Sequence, residues 1–120
     1  AVCALCLVIP ILIGNLDGSS LRVPTTTGSV IDLVLELNTN TTVEEINKAF
    51  TENQNETIKI TFDPIVSSDI IGSSLGALVD GLLTNILEVD GKQLVKIVAW
   101  YDNEMGYSNQ MVRTAKYLLK

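Results

Sequence analysis

Gln93-Leu94-Val95-Lys96-Ile97-Val98-Ala99-Trp100-Tyr101-Asp102-Asn103-Glu104-Met105-Gly106-Tyr107-Ser108-Asn109 is the stretch on which the reading of this chain turns. Its first half, Gln93 to Trp100, is apolar and rich in branched residues, which reads as a buried strand. Its second half leaves that strand and enters a C-terminal helix from about Gly106 to Leu119. Met111, Ala115 and Leu118 then form the expected buried stripe, while Arg113, Lys116 and Lys120 sit near the negative end of the helix dipole. Just upstream, Asp90-Gly91 is a hairpin turn signal that joins this strand to another over Leu82 to Val89.

Working back toward the start, Ile31, Leu33, Leu35 and Leu37 alternate with Asp32, Val34 and Glu36, so Gly28 to Asn38 reads as a strand with one buried face. Thr42 and Glu45 form a capping box for a helix running to about Phe50, with Val43, Ile46, Ala49 and Phe50 on its apolar side. Ile58, Ile60 and Phe62 predict a strand that Pro64 limits, and a short strand is expected near Ile65 to Ile71. Gly72 to Ala77 is small and loop-like. Another strand is expected near Ser20 to Pro24. The run from Ala1 to Ile13 is apolar almost all round, so it reads as a buried helix. The fold class is α+β: a mostly antiparallel or mixed sheet with helices packed on one face, in a single domain over residues 1–120.

Composition narrows the function. The chain has 120 residues, 47% hydrophobic content and a formal charge of -6, enough apolar residues for one core and a sign that repels nucleic acid. The first apolar run is interrupted by Pro10 and is shorter than the roughly 20 residues of a membrane span, so no membrane partner is expected. There is no histidine. Cys3 and Cys6 have Cys-x-x-Cys spacing, but apolar neighbours raise a thiol pKa and nothing completes a metal tetrahedron, which favours packing over redox or metal roles.

Three motifs carry a family resemblance: Trp100 to Asn109, Leu21-Arg22-Val23-Pro24-Thr25 and Gly28-Ser29-Val30-Ile31-Asp32. In order and spacing they resemble the later part of the catalytic domain of glyceraldehyde-3-phosphate dehydrogenase. The resemblance covers nearly the whole chain and is weakest over Thr51 to Pro64, where this chain is shorter than the family pattern. It implies a cytoplasmic setting and NAD as the parent family's cofactor. It also implies roles for residues. Arg22, with Thr25, occupies the position of a substrate-phosphate ligand, and Asn103 that of the asparagine that hydrogen-bonds the nicotinamide carboxamide, with Tyr107 a nearby aromatic of the same site. Met105 departs from the Trp, Phe or Thr usual there.

The resemblance also marks what the chain does not carry. The family's nucleophile sits in a Ser-Cys-Thr-Thr-Asn motif followed by a histidine base, and neither occurs in this sequence; nor does the Gly-x-Gly-x-x-Gly turn of a dinucleotide-binding half. Catalytic residues and a bound cofactor are therefore expected to be absent, and the phosphate and cofactor positions are read as vestigial. Asn103 is expected to cap the last helix ahead of any ligand role.

Apolar residues at Ile11 and Ile13, where the family carries polar ones, suggest redesign into a self-standing domain or a helix-mediated interface. The leading expectation is thus a non-catalytic, engineered scaffold. Its alternatives are a fragment of the NAD-dependent dehydrogenase active only with its missing half, or a weak phosphate- or sulfate-binding module. A homo-oligomer could form through the first helix or through an open sheet face that Asp32, Glu36, Lys59 and Thr61 would otherwise solvate.

Overall fold

The computed structural model describes residues 2–119, with side chains described from residue 5. Expectations placed on Val2, Cys3 and Lys120 side chains lie outside the described residues. Three α-helices, two short 3-10 turns and five strands follow one another: α1 (Val2–Val8), a turn at Pro10–Leu12, β1 (Ser29–Glu36), α2 (Val43–Glu52), β2 (Ile58–Thr61), a turn at Ser67–Ile70, β3 (Ala77–Asp80), β4 (Asn85–Val89), β5 (Lys92–Tyr101) and α3 (Met105–Leu118). The fold is α+β around a mixed five-stranded sheet ordered β1-β5-β3-β2, with β4 also paired to β5.

Strand β5 is central because its length serves three neighbours. From Leu94 to Tyr101 it pairs antiparallel with β1, from Ser29 opposite Tyr101 to Glu36 opposite Leu94. On its other edge its first half pairs with β4 and its second half with β3, both antiparallel. The hairpin to β4 turns at Asp90 and Gly91, with φ of 51° and 76°. Two successive left-handed residues match the twist of the flanking strands, as the Asp-Gly pair predicts. Strand β2 adds to β3 in parallel.

Alternation sorts the side chains onto two faces. Leu33, Leu35, Val79, Val95 and Ile97 share one with Ile58 and Ile60, on the strand against which α2 packs. The other carries Asp32, Glu36, Lys59 and Thr61, the four residues expected there, with Val30, Val34 and Trp100. Ion pairs Lys96–Asp32 at 2.9 Å and Lys92–Glu36 at 3.0 Å cross β1 and β5 on that second face. The buried hydrophobic core is small: Ile46, Ile70, Val79, Val95 and Val98. Helix α2 begins at the expected capping box: Thr42 Oγ1 accepts from Glu45 N–H at 3.2 Å while Glu45 Oε2 accepts from Thr42 N–H at 3.0 Å.

Several expectations fail, each for a local reason. The first segment is exposed: Leu7, Val8 and Ile11 are about four-fifths accessible, because among the described residues α1 packs chiefly on the adjacent Pro10–Leu12 turn, and composition specifies a preference for burial without supplying the partner. Ser20 to Pro24 is irregular and joins no strand; just beyond it Thr25 N–H turns back to Val23 C=O at 2.8 Å, a tight turn in place of a ladder bond. Ile65 to Ile71 forms a 3-10 turn because the Asp69 carboxylate captures Val66 N–H at 2.7 Å, competing with a ladder. The strand expected over Leu82 to Val89 begins only at Asn85, while Ala77, assigned to the loop, opens β3. Leu82 and Leu83 are exposed in the turn between β3 and β4, whose N–H groups go to the Asp80 carboxylate. Phe62 lies just beyond β2, its ring against Gly81.

Helix α3 turns its other side to the domain. Met111, Ala115 and Leu118, expected to be buried, are exposed, and Gly106 is the buried residue. Gln110 accepts from Thr57 Oγ1 at 3.2 Å and Arg113 donates to Ser74 C=O at 2.8 Å, so residues 106, 110 and 113, at helical spacing, form the docking face. A Cβ at Gly106 would lie 2.6 Å from Leu75 C=O. Gly106→Ala should therefore push α3 off the domain and lower stability by about 1 to 3 kcal/mol, read as a drop in urea midpoint. An unchanged midpoint would show that the close approach is not required.

Candidate functional site

The chain's best-furnished cleft opens where the loop before β1 meets the end of β5. About 370 Å³ in volume, it is lined by Arg22, Thr25, Thr26, Thr27 and Gly28 on one side and by Asn103 and Glu104 on the other. Irregular backbone before β1 gives the threonine-rich wall, and the exit of β5 into α3 gives the second. Arg22 is exposed and makes no ion pair among the described residues, so its guanidinium is free to grip an anion through parallel hydrogen bonds. Thr25 adds a hydroxyl to the same wall. The cleft thus unites Arg22, Thr25 and Asn103. Tyr107 lies one helical turn beyond Asn103, two-thirds exposed and outside the cleft lining.

Asn103 does not cap α3. Asp102 does so, and the two consecutive side chains take different jobs because they leave the strand end in different directions. Asp102 Oδ1 accepts from Glu104 and Met105 N–H at 2.9 Å each and from Thr27 Oγ1 at 3.1 Å, while Oδ2 accepts from Gly72 N–H at 2.8 Å. Asn103 Oδ1 instead accepts from Gly28 N–H at 3.0 Å and lies 3.2 Å from the Thr27 hydroxyl. Gly28 and Gly72 have φ of 94° and 81°, a left-handed backbone that favours glycine and aims each N–H at its acceptor.

Asp102 is almost fully buried, 3% accessible, and its charge is held by neutral donors. The Gly72 N–H, then those of Met105 and Glu104, bring its pKa from the ordinary 3.8 down to about 2, against the upward pull of burial. Sequence reasoning missed Asp102, Thr27 and Gly72. The signal was present, since Asp directly before a helix start is as good a cap as Asn. No cluster of three His, Cys, Asp or Glu side chains among the described residues could hold a metal. Cys6 is half-buried and its thiol donates to Leu12 C=O at 3.6 Å.

An α+β domain with a mixed sheet and an arginine- and threonine-lined cleft at its strand ends is the class these features define. The profile of the glyceraldehyde 3-phosphate dehydrogenase C-terminal domain matches residues 1–103. Glyceraldehyde-3-phosphate dehydrogenases of Streptococcus pyogenes and Clostridium pasteurianum are each 55% identical over 117 residues, 98% of this chain. The chain belongs to the glyceraldehyde-3-phosphate dehydrogenase family and corresponds to its C-terminal domain. It spans about 35% of the length of these relatives.

The depressed Asp102 pKa fixes a sign. Stability from its hydrogen bonds is fully present above the ordinary 3.8 and is lost as pH falls toward about 2. Asp102→Asn should therefore have a smaller loss of urea midpoint than wild type across that interval; parallel curves for the two proteins would refute the assignment.

Proposed function

We propose that this chain is the substrate-phosphate- and nicotinamide-facing part of an NAD-dependent glyceraldehyde-3-phosphate dehydrogenase, active only when joined to the part that binds the nucleotide and carries the thiol nucleophile and imidazole base. The observation that carries this reading is that Arg22, without an ion pair among the described residues, and Asn103 line one cleft. Arg22 and Thr25 hold the phosphate of the triose substrate and fix its distance from the reacting carbon. Asn103, whose amide nitrogen has no partner among the described residues, meets the nicotinamide carboxamide. NAD, when bound, supplies the hydride acceptor. Tyr107 flanks the same site from the first turn of α3.

The surface supports an incomplete unit over the self-standing engineered scaffold. With a radius of gyration of 15.5 Å the chain is more open than the roughly 13.6 Å usual for its length. Exposed Leu7, Val8 and Ile11 on one side and Tyr107, Met111, Tyr117 and Leu118 on another await covering by further polypeptide. No helix among the described residues is long and apolar enough to cross a membrane. A cytoplasmic setting and an oligomer through the open sheet face go with this reading.

Two measurements test it. The chain alone should reduce no NAD with glyceraldehyde 3-phosphate above a no-protein blank. Exchanged for the matching segment of the Streptococcus pyogenes relative, it should support turnover, and Arg22→Leu in that hybrid should raise KM for the triose phosphate by roughly 10- to 100-fold. An inactive but folded hybrid would favour the scaffold reading; phosphate binding to an inactive one would favour the binding module.

A further inference from the structure

We infer that Asp102 is the positioning residue of this site: it holds Thr27 and the turn into α3 so that Asn103 spends its carbonyl oxygen on the protein and offers only its amide nitrogen to a ligand. The ligand group this arrangement accepts is a hydrogen-bond acceptor, such as the oxygen of a carboxamide. That chemical consequence rests on the proposed cofactor role of Asn103, whereas the positioning itself rests on the geometry.

The orientation of the Asn103 amide follows from its partner. Gly28 N–H can only donate, so the atom 3.0 Å from it is the oxygen, and the nitrogen is turned to the cleft. The Thr27 hydroxyl shares its one proton between two acceptors, Asp102 Oδ1 at 3.1 Å and Asn103 Oδ1 at 3.2 Å, and this three-centre bond links the two side chains. Asp102 fixes both ends of this link. It captures the hydroxyl, and it takes the N–H groups of Glu104 and Met105, which sets the direction in which the Asn103 side chain leaves the main chain. Through Gly72 it also ties the loop before β3 to the same point. Consecutive side chains therefore act as a two-sided clasp, Asp102 on Gly72 and Asn103 on Gly28.

Amide hydrogen exchange on the chain, with Val79 and Val95 of the sheet core as internal reference for global opening, tests the assignment. Asp102→Asn keeps the shape but brings a donor into a pocket of donors. It should speed exchange at both Gly72 and Gly28 by about tenfold relative to the core. Thr27→Val should speed Gly28 and leave Gly72 as in wild type, and Thr27→Ser, which restores the hydroxyl, should return Gly28 to wild-type protection. Equal acceleration at every amide would reduce Asp102 to a general stabiliser and overturn the proposal, as would acceleration confined to Gly72. Should Asp102→Asn fail to fold, the Thr27 pair decides: indistinguishable Val and Ser variants overturn the link. None of these outcomes depends on ligand binding, so failure of the dehydrogenase reading would be seen separately, in the hybrid enzyme.

Discussion

The hydrogen-bond ladder of β5 is the constraint from which the other elements take their places. A strand of ten residues is long enough to pair with β1 along one edge and with two shorter strands in succession along the other. The break between β3 and β4 is itself held together by one buried carboxylate. Asp80 accepts from Leu82 and Leu83 N–H on one oxygen and from the Trp100 indole N–H at 3.1 Å on the other. The turn that leaves the ladder is thus tied back to the strand it left. Without that tie, the Leu82 N–H and the Trp100 indole N–H would lose their partner, and a polar group left unsatisfied where it is buried costs about 1 to 3 kcal/mol.

The site inherits its position from the same strand. Where β5 ends, its last ladder partner is Ser29, the first residue of β1, so the loop bearing Arg22 to Thr27 must arrive beside the residues that follow Tyr101. Antiparallel register alone brings the two walls of the cleft together; no side chain has to choose that meeting. Side chains then refine it, with two glycines in left-handed conformation directing backbone donors at Asp102 and Asn103. A carboxylate without a cation beside it is stable there because four donors replace its water, the usual condition for burying charge.

Local chemistry was legible in the sequence, and distant packing was not. The Thr42–Glu45 box and the Asp90-Gly91 turn are decided within four residues, so spacing alone identified them. The alternation in β1 likewise revealed which side chains share a face. Asp102 and Asn103 were confused because both residue types cap helices well, and only the position of Gly28, far away in sequence, determines which one turns away. The dehydrogenase motifs singled out Arg22, Thr25 and Asn103 without showing that Thr27 bridges Asn103 to Asp102. Periodicity failed most clearly for α1 and α3. The last helix has an apolar stripe and the first segment is apolar almost all round, and such a surface says that something should cover it, not that this chain does.

Helix α3 makes that distinction physical. Its docking face is polar, with Gln110 and Arg113 bonded to the domain, while Met111 and Leu118 point outward. An amphipathic helix that belonged to a closed unit would turn the other way, since burying its apolar side gains about 25 cal/mol for each Å² removed from water. The inversion is stable only if the inner face is fixed by specific bonds and the outer one is destined for another surface. The first condition is met within the chain. Gly106 seats the first turn against Leu75 too closely for any side chain, and Arg113 locks the helix two turns further along the same face. The cleft opens beside the first turn of this same helix, so whatever covers the outer face of α3 also stands beside Asn103.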